Sequence, residues 1–227
     1  MSFGDTWMLD FWNEPGVISP DMRKTFKLIG YVAIDGYPIP RFWVDKYTRF
    51  DKIVAFAKFG KETIEERARM MGKQLEVDMI THGVDHNVFK PLPRNVVDDF
   101  KRSSGLEGKK IIGMFSRNQP RKHHPEFVEF AAKLLEKTNN DPSYLFYMHC
   151  MEQDAGWDLP ALIEDYMALG LRERVKKYGD LAPGQPVPEL PYNLAGRFFF
   201  PGIKDPAHGF PEDKLNMMYN ICDANVS

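Results

Sequence analysis

Cysteine is scarce in this 227-residue sequence, with Cys150 and Cys222 the whole complement. Both stand among apolar neighbours and neither belongs to a His/Cys cluster. That excludes a disulfide scaffold and fits buried thiols in a reducing compartment, the cytoplasm by default. A dominant charge is missing too: 30 Lys and Arg stand against 32 Asp and Glu, for a net charge of -2 and a pI near 6.3. So balanced a chain has no global attraction for nucleic acid or anionic lipid, and any anion site must be local. No stretch approaches the roughly 18 uninterrupted apolar residues of a spanning helix, and residues 1–10 lack the basic start and apolar run of a secretion signal. No transmembrane segment is expected, and peripheral membrane contact stays open. What is present is an ordinary globular composition, 43% hydrophobic and 27% charged, enough for one large domain or two small ones.

Residues 28–34 (LIGYVAI) form a continuous apolar run followed by Asp35, Gly36, Pro38 and Pro40. This pattern predicts a strand buried on both faces, as in parallel sheets, ending in a loop. Residues 52–56 (KIVAF) predict a second strand, 59–71 a helix with Ile64, Ala68 and Met71 inward and Gly72 as its stop, and 77–80 a third strand. The order is that of a doubly wound α/β domain lacking its opening strands. Residues 81–93 (THGVDHNVFKPLP) carry neither helical nor strand period and read as a connector. We divide the chain into a partial N-terminal Rossmann-like domain at 1–82, a connector at 83–93 and a partial C-terminal Rossmann-like domain at 94–227.

In the second half, a short helix at 95–103 precedes a strand at 109–115 (KKIIGMF). Pro125 suits the first turn of a helix reaching about residue 137, with Phe127, Phe130, Ala131 and Leu134 inward. A strand at 144–149, a helix at 159–169 stopped by Gly170, a strand at 197–200, a helix at 213–222 and the opening of a strand at 224–227 follow. The pattern stops inside a unit, so the natural protein is expected to be longer at this end as well.

The chemistry concentrates after the strand KKIIGMF. Ser116, Arg117, Asn118, Arg121, Lys122, His123 and His124 crowd its carboxyl end and the mouth of the next helix. Arg grips phosphate oxygens bidentately, Lys adds a point charge, and free N–H groups at a helix start add positive dipole, so the segment reads as an anion site suited to a diphosphate. A solvated basic loop is the plainer alternative. No metal site is expected: His82 and His86 lie in a Pro/Gly connector, and His123 and His124 are adjacent rather than convergent. His149, Asp154, Gly156 and Trp157 occupy another strand-end loop that could border a ligand, though His149 reads first as structural. Asp5, Trp7 and Trp12 could line a cleft for sugar rings, against the commoner role of Trp in cores. The Pro-rich stretch 181–192 reads as an exposed insertion or an interaction surface.

Four segments in register then resemble the family 4 retaining glycosyltransferases, whose fold is the two-domain GT-B type. Arg117 with Lys122 five positions on, after a strand containing Gly113 and before the helix with Ala131, resembles that family's Arg/Lys signature. HGVDHNVFKP, with His82, Gly83 and Asp85, resembles its hinge. RFFFPGIKD, with Pro201 and Gly202, resembles the strand and turn near the nucleotide base, and KLNMMYNICDANVS the helix and strand before its acidic motif. The resemblance implies a nucleotide-diphosphate sugar as donor, bound on the C-terminal domain with its diphosphate on Arg117, Lys122, Ser116 and Gly113. It implies a glycan, lipid or protein hydroxyl as acceptor, no metal or other cofactor, and transfer of a hexosyl group with retention.

Two departures matter. The paired glutamates of the acidic motif would follow the last residue and are absent. Where the family often carries His beside the reaction centre, this chain has Asp35, which could bond an acceptor hydroxyl or serve only as a turn residue. A non-catalytic truncated nucleotide-binding module and a GT-B-fold nucleotide-sugar epimerase stand as alternatives.

Overall fold

The computed structural model describes residues 2–6, 9, 16–177, 192–202 and 209–226, with backbone alone for 2–5 and 171–177. Trp7, Trp12, the stretch 181–191, residues 203–205 of RFFFPGIKD and Ser227 lie outside the described residues. The chain divides into two units, Met1–Val84 and Asp85–Ser227. Each is built on a four-stranded sheet whose strand pairs are all parallel, so both are α/β units of Rossmann-like kind.

In the first unit the chain runs β1 (Ser2–Asp5), α1 (Pro20–Arg23), β2 (Ile29–Ala33), α2 (Arg41–Tyr47), β3 (Lys52–Ala55), α3 (Lys58–Met70) and β4 (Val77–Met79). The sheet order is β1-β2-β3-β4. Alternation along the strands sends Val32, Ile53, Ala55 and Val77 to one face, where they meet Val44 and Tyr47 of α2 and Ile64 and Ala68 of α3. Each fully buried branched side chain contributes roughly 1.5–3 kcal/mol. α3 ends as expected, with Gly72 at φ 67° after its last turn.

An opening strand is present, β1 paired with β2; its short, Gly-containing segment SFGD carries too little apolar pattern to announce it. The stretch read as loop between β2 and β3 contains α2, whose N-cap is Pro40. Tyr47 decides that helix: it is fully buried and hydrogen-bonded to Thr6 through its hydroxyl, so tertiary packing rather than a long amphipathic period holds it. Successive strands also step one way across this sheet, so no reversal of winding occurs among its described strands.

The second unit runs α4 (Arg94–Ser103), β5 (Lys110–Phe115), α5 (His124–Lys137), β6 (Tyr144–His149), α6 (Leu159–Lys177), β7 (Phe198–Phe199), α7 (Glu212–Ile221) and β8 (Ala224–Val226). The order β7-β6-β5-β8 means that the chain winds outward from β5 to β7 and then jumps back to the far side of β5. The reversal falls between β5 and β8. Winding both ways covers both faces: Ile112, Met114, Phe146 and Met148 pack under α5 and α6, while Ile111 and Tyr147 pack with Ile221 of α7 and Phe100 of α4.

On α5 the expected Phe127 and Ala131 are buried, together with His124, Val128, Ala132 and Leu135, and Leu134 is partly buried against the same core, whereas Phe130 is 40% exposed. α6 passes through Gly170 instead of stopping there, because an interior Gly costs a helix only about 1 kcal/mol.

The stretch read as connector straddles the two units, and its part from Asp85 onward is fastened to α7. Asn216, 5% exposed, accepts from Lys90 N–H at 3.2 Å and donates to Lys90 C=O at 3.1 Å. Asn220, one turn later, accepts from Leu92 N–H at 2.8 Å. Two amides at i and i+4 thereby satisfy an irregular backbone that no strand neighbours.

Candidate anion site at the strand ends

Ligands of open parallel sheets sit beyond the carboxyl ends of the strands where the winding reverses. In the second unit that point lies at the ends of β5 and β8, and a concavity of about 610 Å³ opens there. Met114, Phe115 and Val226 line it from the strands, Phe127 and Phe130 from α5, and Ser116, Arg121, Lys122, His123 and Glu126 supply its polar part.

The loop geometry follows from its sequence. Pro120 opens a short 3-10 turn, Pro120–Lys122, which turns Arg121 and Lys122 toward the concavity. His123 adopts a left-handed conformation (φ 57°, ψ 42°) and caps α5 without a side-chain cap bond. Neither Arg121 nor Lys122 makes an ion pair among the described residues. The helix start is less open to an anion than expected. Pro125 has no N–H, and Glu126 brings a carboxylate into the first turn, held 2.9 Å from His123 Nδ1, a contact that lowers its pKa. Two cations and one carboxylate thus face the concavity.

Arg117 stands apart. It does not line the concavity; its Nε and Nη2 donate to the two carboxylate oxygens of Asp154 at 2.7 and 3.0 Å. That fork, with the backbone N–H of Ala155, pulls the Asp154 pKa down to about 2. Asp154 belongs to the loop after β6, and Asn118 holds that loop in place. Fully buried, Asn118 donates through Nδ2 to the carbonyls of Trp157 (2.7 Å), Met151 and Glu152 (both 3.3 Å), and accepts from Trp157 N–H at 2.9 Å. Gly156 makes this approach feasible: a Cβ there would collide with the Asn118 amide and lie 3.0 Å from Gln119 N.

The remaining expected residues separate. Ser116 lines the concavity, and its hydroxyl is buried with no hydrogen-bond partner among the described residues. Gly113 is buried in mid-strand, where a Cβ would lie 2.7 Å from Cys222 Sγ and 2.9 Å from Asn225 Oδ1; its bareness serves packing between β5 and β8. Pro201 and Gly202 follow the carboxyl end of β7, and Gly202 has φ 65°. Asp85 caps its own turn, its carboxylate accepting from Asn87 N–H at 2.8 Å. In the first unit, Asp35 is exposed at the carboxyl end of β2, and His82 stacks on Phe56 with centroids 5.0 Å apart, followed by exposed Gly83. His149 bonds Tyr147 through Nδ1 at 2.7 Å and stacks on Phe115, with burial lowering its pKa. Among the described residues no group of three His, Cys, Asp or Glu could hold a metal ion, and no helix is long and apolar enough to cross a membrane.

Two residues gain weight only in three dimensions. Asn118 gave no sign in the sequence beyond adjacency to Arg117. His124 reads there as part of the basic run, yet it is fully buried at the start of α5 beside the Ser116 carbonyl, with neither ring nitrogen in a hydrogen bond of ordinary geometry among the described residues. Burial lowers its pKa.

No family model matches the sequence, and no curated protein matches it. Solved structures of HepE from Anabaena, in complex with UDP and glucose, with UDP, and with UDP-glucose, superpose with TM-scores of 0.47, 0.48 and 0.48 at 13%, 14% and 15% identity. Each alignment covers 86% of this chain and 45% of the other, so the chain spans less than half the length of those structures.

Proposed function

We propose that the second unit binds the diphosphate of a nucleotide-sugar donor and that the chain serves retaining hexosyl transfer to an acceptor hydroxyl in a GT-B framework. One observation carries the reading: Ser116, Arg121 and Lys122 meet at a concavity beyond the strand pair where the winding reverses, with Arg117 on the same loop. Arg and Lys there would offset the charge that grows on a departing nucleoside diphosphate, which asks for cations fixed before reaction rather than for a metal. Asp35, at a strand end of the first unit, is our candidate carboxylate on the acceptor side. The apolar wall of Phe127, Phe130 and Val226 suits an occupant with an uncharged face.

Calorimetric titration of the chain with UDP, GDP, ADP and their glucose esters tests the proposal. Saturable binding is expected, weakened by Arg117→Ala and by Lys122→Ala. In a transfer assay either substitution should lower turnover roughly 100-fold, the scale of losing one charge partner of the transition state. No binding by the parent chain, or binding by both variants as tight as the parent's, overturns the assignment. Binding without transfer would place the chain with the non-catalytic nucleotide-binding alternative.

A further inference from the structure

We propose that Asp154 is a positioning residue for Arg117, holding its guanidinium by one edge and leaving the other edge free for a diphosphate bound at this loop; the inference rests on the diphosphate reading of the loop. The contact is side-on. Nε and Nη2 point at the two carboxylate oxygens of Asp154, and Nη1 makes no hydrogen bond among the described residues. A guanidinium has five N–H donors in a rigid plane, so occupying the Nε/Nη2 edge still leaves Nη1 and the second Nη2 hydrogen for phosphate oxygens.

The holder is itself held. Asp154 is 15% exposed while the Arg117 side chain is 64% exposed, so the carboxylate is the fixed partner and the arginine the one that needs fixing. Asp154 stands in a loop whose backbone is tied to Asn118 at Met151, Glu152 and Trp157, and Asn118 directly follows Arg117 in the chain. Clamp and cation thus share one stretch of backbone, and the position of the guanidinium is set by the fold rather than found by the ligand. Released from Asp154, so exposed a side chain spreads over many rotamers, and a ligand would have to order it on binding.

Simple charge counting predicts the opposite sign. Removing a carboxylate beside a cation makes the loop more attractive to any anion, so if Asp154 merely competes with the ligand, its neutralisation tightens binding. The two accounts separate in calorimetric titration of the full chain with inorganic pyrophosphate and with UDP, using Asp154→Asn, Arg117→Ala and the double variant. Positioning predicts roughly tenfold weaker binding for Asp154→Asn, and a double variant no weaker than Arg117→Ala alone, because the carboxylate acts only through that arginine. Unchanged or tighter binding by Asp154→Asn overturns the inference, and so does a further loss in the Arg117→Ala background, which would mark general damage to the loop. Asp154→Ser replaces Asp154→Asn if the latter does not melt cooperatively. Failure of the diphosphate reading shows separately, as a parent chain that binds neither probe or an Arg117→Ala variant that binds like the parent, and either result removes the inference with it.

Discussion

Replacing Asn118 tests how the two strand-end loops are joined. Its side chain is fully buried and makes four contacts within hydrogen-bond distance. The amide has two N–H hydrogens for three carbonyls, so about three full bonds are at stake with the one it accepts. At about 1 kcal/mol net for each, with the Trp157 N–H losing its side-chain acceptor, Asn118→Ala should cost about 2–4 kcal/mol. With a urea dependence of about 1–3 kcal/mol per molar, the unfolding midpoint followed by circular dichroism should fall by about 0.7–4 M at unchanged slope.

Asn118→Asp sharpens the test. It keeps the acceptor for Trp157 N–H but turns a second oxygen toward three carbonyls, so its folded pKa must rise above the roughly 3.9 of the unfolded chain. The folded state then retains a proton that the unfolded state has lost. Stability falls as pH rises from about 4 to the folded pKa, by at most about 1.4 kcal/mol per pH unit. An Ala variant within about 0.5 kcal/mol of the parent, the scale of an ordinary surface substitution, or an Asp variant that gains stability with rising pH, would refute the assignment of Asn118 as the clamp.

Two further outcomes follow from the same region. Gly156→Ala should destabilise the second unit by about 1–3 kcal/mol, read as a lower melting temperature, since the new methyl meets backbone of the neighbouring loop as well as the Asn118 amide. His124 and His149 both have pKa values lowered by burial, so each takes up a proton less readily in the fold than in the unfolded chain, which protonates near pH 6.5. Stability should therefore be full above that pH and decline as pH falls below it, and His124→Leu should lessen the decline between about pH 6.5 and 5; urea titrations across that window that give the same pH slope for parent and variant would exclude the buried imidazole as a contributor.

Much of the architecture is legible in the sequence because local patterns carry it. Apolar runs such as 29–33 and 144–149 can be satisfied only by strands buried on both faces, and Gly72 ends α3 at a left-handed residue that Gly adopts cheaply. The cluster from Ser116 to Lys122 was visible for the same reason: charge density at a strand end is a property of a few neighbouring letters. What the letters left out is pairing across long separations. α2 exists because Tyr47 is buried against the first unit's core, β1 because β2 accepts its backbone, and Phe130 is left partly exposed because Val128, Ala132 and Leu135 fill the buried side of α5 beside Phe127 and Ala131. Most consequentially, the sequence by itself made Arg117 one of two equivalent cations, whereas tertiary structure set it on Asp154, 37 residues away, and left Arg121 and Lys122 at the concavity. A charge is encoded where it stands, but its partner is decided only when the loops after β5 and β6 are brought side by side by the parallel pairing of those strands.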